Sequence, residues 1–392
     1  MKRTVLVAVL LALPAAALWG CGGLAARADD APTASAITVA ATTATATENA
    51  AGDAEISLKL REPATALFAG AEAALHVEVQ AAKPTGGTLA WQLAAENRTL
   101  AAGEIAVAAG ETAVLKLRLP QLSEGVSLRT ELHLSLFTEN AQRKEKPRAV
   151  LARVLWLVPT DSFAGRKKWL KELPLRLYDP ENVTAKVFTQ AEIPFARVAS
   201  LAAIEGLDDG ILIVGEGIDL THAGPLGDTL LAALERGVPV AWLAPAAGDL
   251  PYPATETLTT LRFAASDVIP EIDKRLTAAA WPTGEAGPRH FVPAAMHGEL
   301  RLVVTREAGG WPWIEAASST PAAIYLGSGA ARLSGDALRA AERKWAETKW
   351  AETKSILCGY PIIATWEQSP AARYLLAGIV ERLAAAQESP GQ

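Results

Sequence analysis

The fold of the second half of this chain is decided by residues 208–217, which read DDGILIVGEG. Four apolar side chains, Ile211 to Val214, stand between an Asp-Asp-Gly turn and a Gly-Glu-Gly turn. A short continuous apolar run bounded by turn residues is typical of a parallel strand that is buried on both faces. Such a strand needs helices above and below it, so the run predicts an α/β region.

The residues on either side extend this prediction into a strand–helix succession. Further strands are predicted at residues 175–178, 195–198 and 238–243. Asn182 is expected to cap the helix after the first of them, because Asn side chains accept hydrogen bonds from exposed backbone amides. Pro225 is expected to begin the next helix and Gly237 to end it. Strands alternating with helices predict a parallel sheet with right-handed crossovers.

The last third of the chain mixes two patterns. Residues 300–304 and 311–316 are expected to add antiparallel strands, and residues 323–326 to pair across the turn at 318–321. Residues 355–358 form a further predicted strand. Ser369-Pro370 then begins a final helix with one apolar stripe, which consists of Ala372, Leu375, Leu376, Ile379 and Leu383.

A tandem duplication precedes that last strand. The sequence KWAET occurs at residues 344–348 and again at 349–353. Five helical residues turn through about 500°, so the two tryptophans cannot share one buried stripe. We expect a solvated helix from about Asp336; a tryptophan-bearing partner site is the alternative.

In residues 55–159 the apolar side chains recur every two residues, unlike those of the strand–helix region that follows. Apolar and polar side chains alternate at 56–60, 75–79, 114–119 and 132–136, with Gly, Pro and Asn turns between these segments. Short alternating strands at this spacing predict an antiparallel β-sandwich. The chain is therefore predicted to be multidomain, with an Ig-like sandwich at 55–159 and a three-layer α/β domain at 160–388.

The N-terminus predicts export. Two basic residues precede an apolar run and an Ala-Arg-Ala site, so residues 1–28 are interpreted as a signal peptide cleaved after Ala28. Leu18-Trp19-Gly20-Cys21 is similar to a bacterial lipobox, which leaves lipidation of Cys21 as an alternative. The Ala/Thr-rich residues 29–54 are expected to be a disordered linker. The expected location is the periplasm or the cell envelope under both alternatives.

Composition excludes several classes of function. The chain of 392 residues carries a net charge of −6, so no net basic field favours nucleic acid. Removing residues 1–28 takes away three basic residues and no acidic one, which changes the charge to −9. Cys358 is then the only cysteine, and we expect it to be buried. No transmembrane helix is expected in the mature chain.

The α/β part resembles the class I glutamine amidotransferase-like superfamily with its flavodoxin-like sheet. The residues that carry the resemblance are LRLYDP at 175–180, DDGILIVG at 208–215, VPVAWLAP at 238–245 and the segment 358–374. The sandwich is similar to the Ig-like modules of exported bacterial carbohydrate-active proteins. Amidotransferases place a cysteine nucleophile in a G-x-C-x-G turn, whereas residues 244–248 here read APAAG. The resemblance therefore implies the fold without the chemistry, and no catalytic residue is assigned.

Polar residues follow the predicted parallel strands at their carboxyl ends, where doubly wound sheets bind ligands. The candidate ligand-binding residues are Asp179, Asn182, Glu216, Asp219 and His222. The last three have side chains that suit a divalent metal, but the sequence favours a solvated loop, in which Asp219 caps a turn. No metal site and no cofactor is assigned.

Trp311 and Trp313 form a second candidate ligand site, on either side of Pro312. Stacked indole rings can bind the CH-rich faces of sugars, but the sequence favours packing of these rings in the core or between domains. The sequence thus favours an exported, non-catalytic binding or assembly protein whose partner is an unidentified envelope protein or glycan. The alternatives are a hydrolase that uses strand-end carboxylates and a carbohydrate-binding accessory protein.

Overall fold

A computed structural model describes residues 56–388, apart from positions 64, 82–85, 109, 139–145, 254–259, 265–267, 283, 297–298, 306–311 and 318–352. The predicted signal peptide, Cys21, the linker, Trp311 and the predicted strand at 323–326 lie outside the described residues. The duplicated segment also lies outside them except for Thr353, which begins a strand and so does not belong to the predicted helix.

Eight strands make up the first half of the described chain. They are β1 (Ile56–Leu60), β2 (Ala66–Phe68), β3 (Glu72–Ala81), β4 (Gly87–Ala95), β5 (Arg98–Val107), β6 (Thr112–Arg118), β7 (Leu128–Thr138) and β8 (Ala149–Val158). They form a three-stranded sheet in the order β1-β3-β6 and a five-stranded sheet in the order β2-β8-β7-β4-β5. All neighbouring strands are antiparallel except β2 and β8, which are parallel.

The two-residue period explains how these sheets pack. In β6 the side chains of Ala113, Leu115 and Leu117 are buried while those between them are exposed. The inner faces of both sheets contribute to one apolar core, in which Leu89 and Leu134 are fully or almost fully buried. The structure therefore has the antiparallel sheet region that the two-residue period predicts.

The second half begins with alternating helices and strands. Its first elements are α1 (Lys167–Glu172), β9 (Leu175–Tyr178), α2 (Val183–Gln190), β10 (Ala196–Val198), α3 (Leu201–Glu205), β11 (Ile211–Val214), α4 (Leu226–Glu235) and β12 (Val240–Trp242). They are followed by β13 (Asp249–Pro253), β14 (Thr260–Ala264), α5 (Val268–Ile272), β15 (His290–Met296), β16 (Glu299–Thr305), β17 (Trp313–Ala317), β18 (Thr353–Cys358) and α6 (Pro370–Glu388).

Seven of these strands form one sheet in the order β10-β9-β11-β12-β18-β17-β14. The first five are parallel, and β17 and β14 are antiparallel additions. Counted along the chain, the parallel strands lie in the order 2-1-3-4-5, which is that of doubly wound sheets of the flavodoxin type. The predicted strand at 300–304 is antiparallel but lies elsewhere, in a three-stranded sheet ordered β13-β16-β15.

Strand β11 shows why the sheet has a layer on each face. Ile211 and Ile213 belong to one buried core, which contains the stripe of α6, and Leu212 and Val214 belong to a second core with α4. All five residues of the predicted α6 stripe are fully buried. Among the described helices, none combines the length and apolar character needed to cross a membrane.

Helix α6 also contacts the sandwich, and Arg373 lies at this contact. The Arg373 guanidinium lies 4.7 Å from the ring centre of Phe68 in β2 and 5.3 Å from that of Trp366. It donates hydrogen bonds to the carbonyl oxygens of Trp366 and Thr160, each at 2.9 Å. Beside it the Tyr374 hydroxyl donates to the carbonyl of Pro159 at 3.2 Å. Arg373 therefore joins the two halves at the point where the chain passes between them.

We expect Arg373→Ala to lower the free energy of unfolding by about 2–3 kcal/mol, because two carbonyl groups lose a cationic donor and Phe68 loses its stacked cation. Urea denaturation followed by circular dichroism measures the change. Arg197→Ala, at an exposed position in β10, is the matched control, with an expected change below about 0.5 kcal/mol. Equal losses in the two variants would contradict this role for Arg373.

Candidate functional site

The strand order reverses between β9 and β11, and in a doubly wound sheet this is where a ligand crevice forms. Strand β9 leads directly into Asp179, and β11 leads into Gly215 and Glu216. The two strand ends are hydrogen-bonded, since the Gly215 amide donates to the carbonyl of Tyr178 at 2.9 Å. Three of the predicted site residues, Asp179, Asn182 and Glu216, lie here.

Asp179 performs the capping role that the sequence predicts for Asn182. Its carboxylate accepts a hydrogen bond from the Ala185 amide in the first turn of α2, at 2.7 Å. Asn182 occupies the position before the helix in a left-handed conformation, with φ 59°, and makes no side-chain cap bond. Its amide group donates instead to the carbonyl of Pro180 at 3.3 Å. The cap prediction for Asn182 is therefore corrected, because the left-handed turn brings Asp179 to the helix.

Gly215 allows the two strand ends to approach. A Cβ atom at this position would lie 2.9 Å from Asp179 Oδ1, closer than real side chains come. Asp179 is 6% exposed, and its Oδ1 atom is buried without a hydrogen-bond partner among the described residues. The crevice at the strand reversal is thus largely closed by packing of Asp179 against the Gly215 backbone.

Glu216 points away from that crevice. Its carboxylate accepts hydrogen bonds from the backbone amides of Ile363 at 2.7 Å and Ala364 at 3.0 Å, in the turn that follows β18. Its own amide donates to the Thr184 hydroxyl at 2.9 Å. Glu216 therefore connects the ends of β11 and β18, two strands separated in the sheet by β12.

Burial raises the pKa of Glu216 from its ordinary 4.5 to about 7. The amides of residues 362–364 and the positive charge of Arg289 act in the opposite direction, since they favour the carboxylate. Desolvation is the larger effect because the carboxyl is enclosed between the two strand ends. A carboxyl with such a pKa changes its charge near neutral pH.

Asp219 and His222 lie in an exposed turn. One Asp219 oxygen accepts from the amide and the hydroxyl of Thr221, and the other lies 3.0 Å from His222 Nδ1. These hydrogen bonds lower the pKa of Asp219, and the His222 side chain is 85% exposed. The structure therefore does not bring Glu216 to Asp219 and His222. Within the described ranges, no three His, Cys, Asp or Glu side chains are placed to hold a metal ion.

Cys358 is completely buried at the end of β18. Its thiol contacts the carbonyl oxygen of Tyr360 at 3.9 Å, and burial raises its pKa well above the ordinary value. The thiolate is the nucleophilic form of cysteine, so this environment suppresses reactivity. Cys358 has the environment of a core residue.

Trp313 lies opposite Cys358 in the β17–β18 pair and is also fully buried. A sugar platform needs an exposed ring face, so the prediction that Trp313 binds a sugar is corrected by its packing into the core. Trp311, its predicted partner, lies outside the described residues. The packing interpretation of Trp313 therefore agrees with the structure.

The groups that contact the Glu216 carboxyl could not be predicted from the sequence. Arg289 precedes β15, and residues 362–364 follow β18, so both are distant from Glu216 along the chain. The Gly359-Tyr360-Pro361 turn indicates only that a strand ends there, and no local pattern shows that the following amides meet Glu216.

Folding stability should fall as pH rises from about 4.5 to 7. Over this interval the folded chain keeps a proton on Glu216 that the unfolded chain has released, so ionisation favours unfolding by up to about 3 kcal/mol. Glu216→Gln should remove this part of the pH dependence. Urea unfolding at a series of pH values measures it.

Glu205→Gln, at an exposed position in α3, is the control and should keep the wild-type pH dependence. A pH profile of Glu216→Gln identical to that of the wild-type chain would show that Glu216 does not titrate in this range.

Comparison with known proteins finds no matching protein family and no matching curated protein. Among solved structures, the chain is similar to the CARDB domain of a Pyrococcus furiosus protein in complex with di-metal ions, at 13% identity and a TM-score of 0.19 over 27% of this chain and 94% of that one. It is similar to the sporulation control protein of Bacillus subtilis, at 15% identity and a TM-score of 0.21 over 31% of this chain and 55% of that one.

A third similarity is to a Paenibacillus cycloisomaltooligosaccharide glucanotransferase complexed with cycloisomaltoheptaose. It has 8% identity and a TM-score of 0.25, and covers 65% of this chain and 34% of that one. At these identities and TM-scores, no activity, ligand or partner of these proteins is assigned to this chain.

Proposed function

We propose that this chain is an exported, non-catalytic binding or assembly protein of the cell envelope. In this proposal an Ig-like sandwich precedes a degenerate α/β domain of the class I glutamine amidotransferase-like superfamily. The partner is an envelope protein or a glycan.

The proposal rests on the hydrogen bonds that the Glu216 carboxylate accepts from the backbone. At the strand ends of a hydrolase, a carboxyl with a pKa near 7 would face the substrate as a general acid or base. Here both Glu216 oxygens accept backbone hydrogen bonds from Ile363 and Ala364, and the side chain joins two loops. This arrangement favours a structural role for Glu216, the carboxyl that the hydrolase alternative would need as its general acid or base.

The degenerate amidotransferase-like assignment is supported by two features. The order of the parallel strands is that of flavodoxin-type sheets, to which the sequence resemblance points. Cys358 lies in a strand and is fully buried, and the loop after β12 has alanines and a proline where that superfamily has its nucleophile.

Hydrolysis assays test the non-catalytic part of the proposal. Purified protein, incubated with amide substrates such as glutamine and with chromogenic glycosides, should release product no faster than buffer does. Amide or glycoside hydrolysis that disappears in Glu216→Gln or Asp219→Asn would overturn the proposal. Activity that both variants retain and that persists at constant specific activity through repurification would overturn the proposal as well, whereas activity lost on repurification would come from a contaminating enzyme.

Export is tested by the mass of the N-terminal peptide in cells that produce the full chain. The protein should be recovered from the envelope fraction with Asp29 as its first residue, because the Ala-Arg-Ala site ends at Ala28. Lipidated Cys21 at the N-terminus would show the alternative processing, and Cys21→Ser would then block it. A cytoplasmic chain that retains Met1 would contradict export.

A further inference from the structure

We propose that a cavity between the sandwich and the α/β region binds a neutral, polyhydroxylated ligand of the size of a short oligosaccharide. The inference rests on the proposed binding function and names its ligand class. None of the candidate residues at the strand ends lines this cavity.

The cavity has a volume of about 710 Å³, which lies within the usual range for small-molecule sites. The sandwich contributes Ser127 and Trp156 to its wall. The α/β region contributes residues 270–275, which include the end of α5, together with Tyr374 and Glu381 of α6. Small-molecule sites occur preferentially where two folded regions meet, and this cavity has that location.

Charge in the cavity wall is balanced. Three basic residues, Arg166, Lys274 and Arg275, face the same space as three acidic ones, Glu271, Asp273 and Glu381. Arg166 forms an ion pair with Glu381, and Arg275 forms a two-point ion pair with Asp273, at 2.6 and 2.8 Å. Because the paired charges compensate each other, the wall favours neither an anion nor a cation.

The same side chains supply hydrogen-bond donors and acceptors side by side. A sugar hydroxyl both donates and accepts, so its recognition needs both kinds of group. Lys274 and Glu271 are exposed beside the cavity and provide one of each. An anion would require a wall of donors and a cation a wall of acceptors, whereas this wall alternates the two.

Part of this polar wall is fixed in place. Asp273 is largely buried, with a side chain 13% exposed. Arg275 lies 4.4 Å above the ring centre of Tyr374 and donates to the Ser127 hydroxyl on the sandwich. The Thr65 hydroxyl in turn donates to the carbonyl of Arg275 at 3.1 Å. A wall held in this way loses little side-chain freedom when a ligand binds, which favours affinity.

Trp156 adds an aromatic surface. It belongs to β8, packs partly against the core of the α/β region and remains half-buried beside the cavity. The CH-rich face of a pyranose ring packs well on an indole. Trp156 therefore has the position that Trp313 lacks, at a surface that a sugar can reach.

Isothermal titration calorimetry with three neutral oligosaccharides, maltohexaose, cellohexaose and hexa-N-acetylchitohexaose, tests the inference. At least one of them should bind with a Kd between about 10 μM and 1 mM. Trp156→Ala should weaken that binding about tenfold and Trp156→Phe less. Lys274→Ala should weaken it several-fold, because the exposed side chain contributes a donor without supporting the fold. Lys186→Ala, on the exposed side of α2, is the matched control and should bind as the wild-type chain does.

Three results would overturn the inference. The first is no heat of binding from any of the three oligosaccharides at about 10 mM. The second is binding that Trp156→Ala and Lys274→Ala both leave unchanged. The third is tighter binding of inorganic phosphate or of tetraalanine, which would assign the cavity to an anion or to a peptide. If circular dichroism shows that Trp156→Ala is unfolded, Lys274→Ala and Glu271→Gln decide in its place.

Failure here is distinguishable from failure of the proposed function. A chain recovered from the envelope fraction that hydrolyses nothing and binds none of the oligosaccharides would retain the proposed function and lose this ligand class. Hydrolysis that depends on Glu216 would overturn the proposed function whatever the cavity binds.

Discussion

The burial of both faces of the central parallel strands is the constraint on which the rest of the second half depends. Every residue of β11 and β12 is buried, so neither strand has a face that water can cover. Helices must therefore lie on both sides of the sheet. The buried stripe of α6 covers one face and the buried residues of α4 cover the other. The position of α6 then brings Arg373 to the sandwich.

Because helices cover both faces of the sheet, a ligand would be expected at the carboxyl ends of the strands. The side chains there are engaged mainly in contacts within the chain. Asp179 caps α2 and packs against Gly215, and Glu216 receives the amides of the turn after β18. The junction between the sandwich and the sheet has the opposite character, since its polar groups border an open cavity. The closed strand ends support a non-catalytic role, and the open junction supports ligand binding in the cavity.

Much of the fold could be predicted from sequence because periodicity reports local geometry. The alternation in β6 and the stripe of α6 gave the buried residues directly, and the run 211–214 gave a strand without an exposed face. Burial of Trp313 and the direction of Glu216 could not be predicted in this way. Both depend on which distant segment lies opposite, and no local pattern records that Ile363 and Ala364 meet residue 216.

The cap of α2 could be predicted only in part: the sequence indicates a cap before this helix, but the capping side chain is that of Asp179 and not that of Asn182. Both residues are good caps, and the local sequence places Asn182 at the expected position. Its left-handed backbone, which Asn tolerates better than most residues, changed the outcome. The sequence therefore placed Asp179, Asn182 and Glu216 at the strand ends where the structure has them, while the contacts of each side chain there had to come from the three-dimensional structure.

The place of β18 in the sheet has a consequence for the order in which the protein is made and folds. This strand is inserted between β12 and β17, and Val240 of β12 pairs with Ser355, far later in the chain. A chain that emerges from its N-terminus completes the sandwich early, whereas the sheet lacks a middle strand and a covering helix until residue 388 has emerged. Pairing between segments so distant in sequence is slow and leaves apolar edges exposed meanwhile. During synthesis the second half therefore exposes apolar strand edges for longer than the first half does.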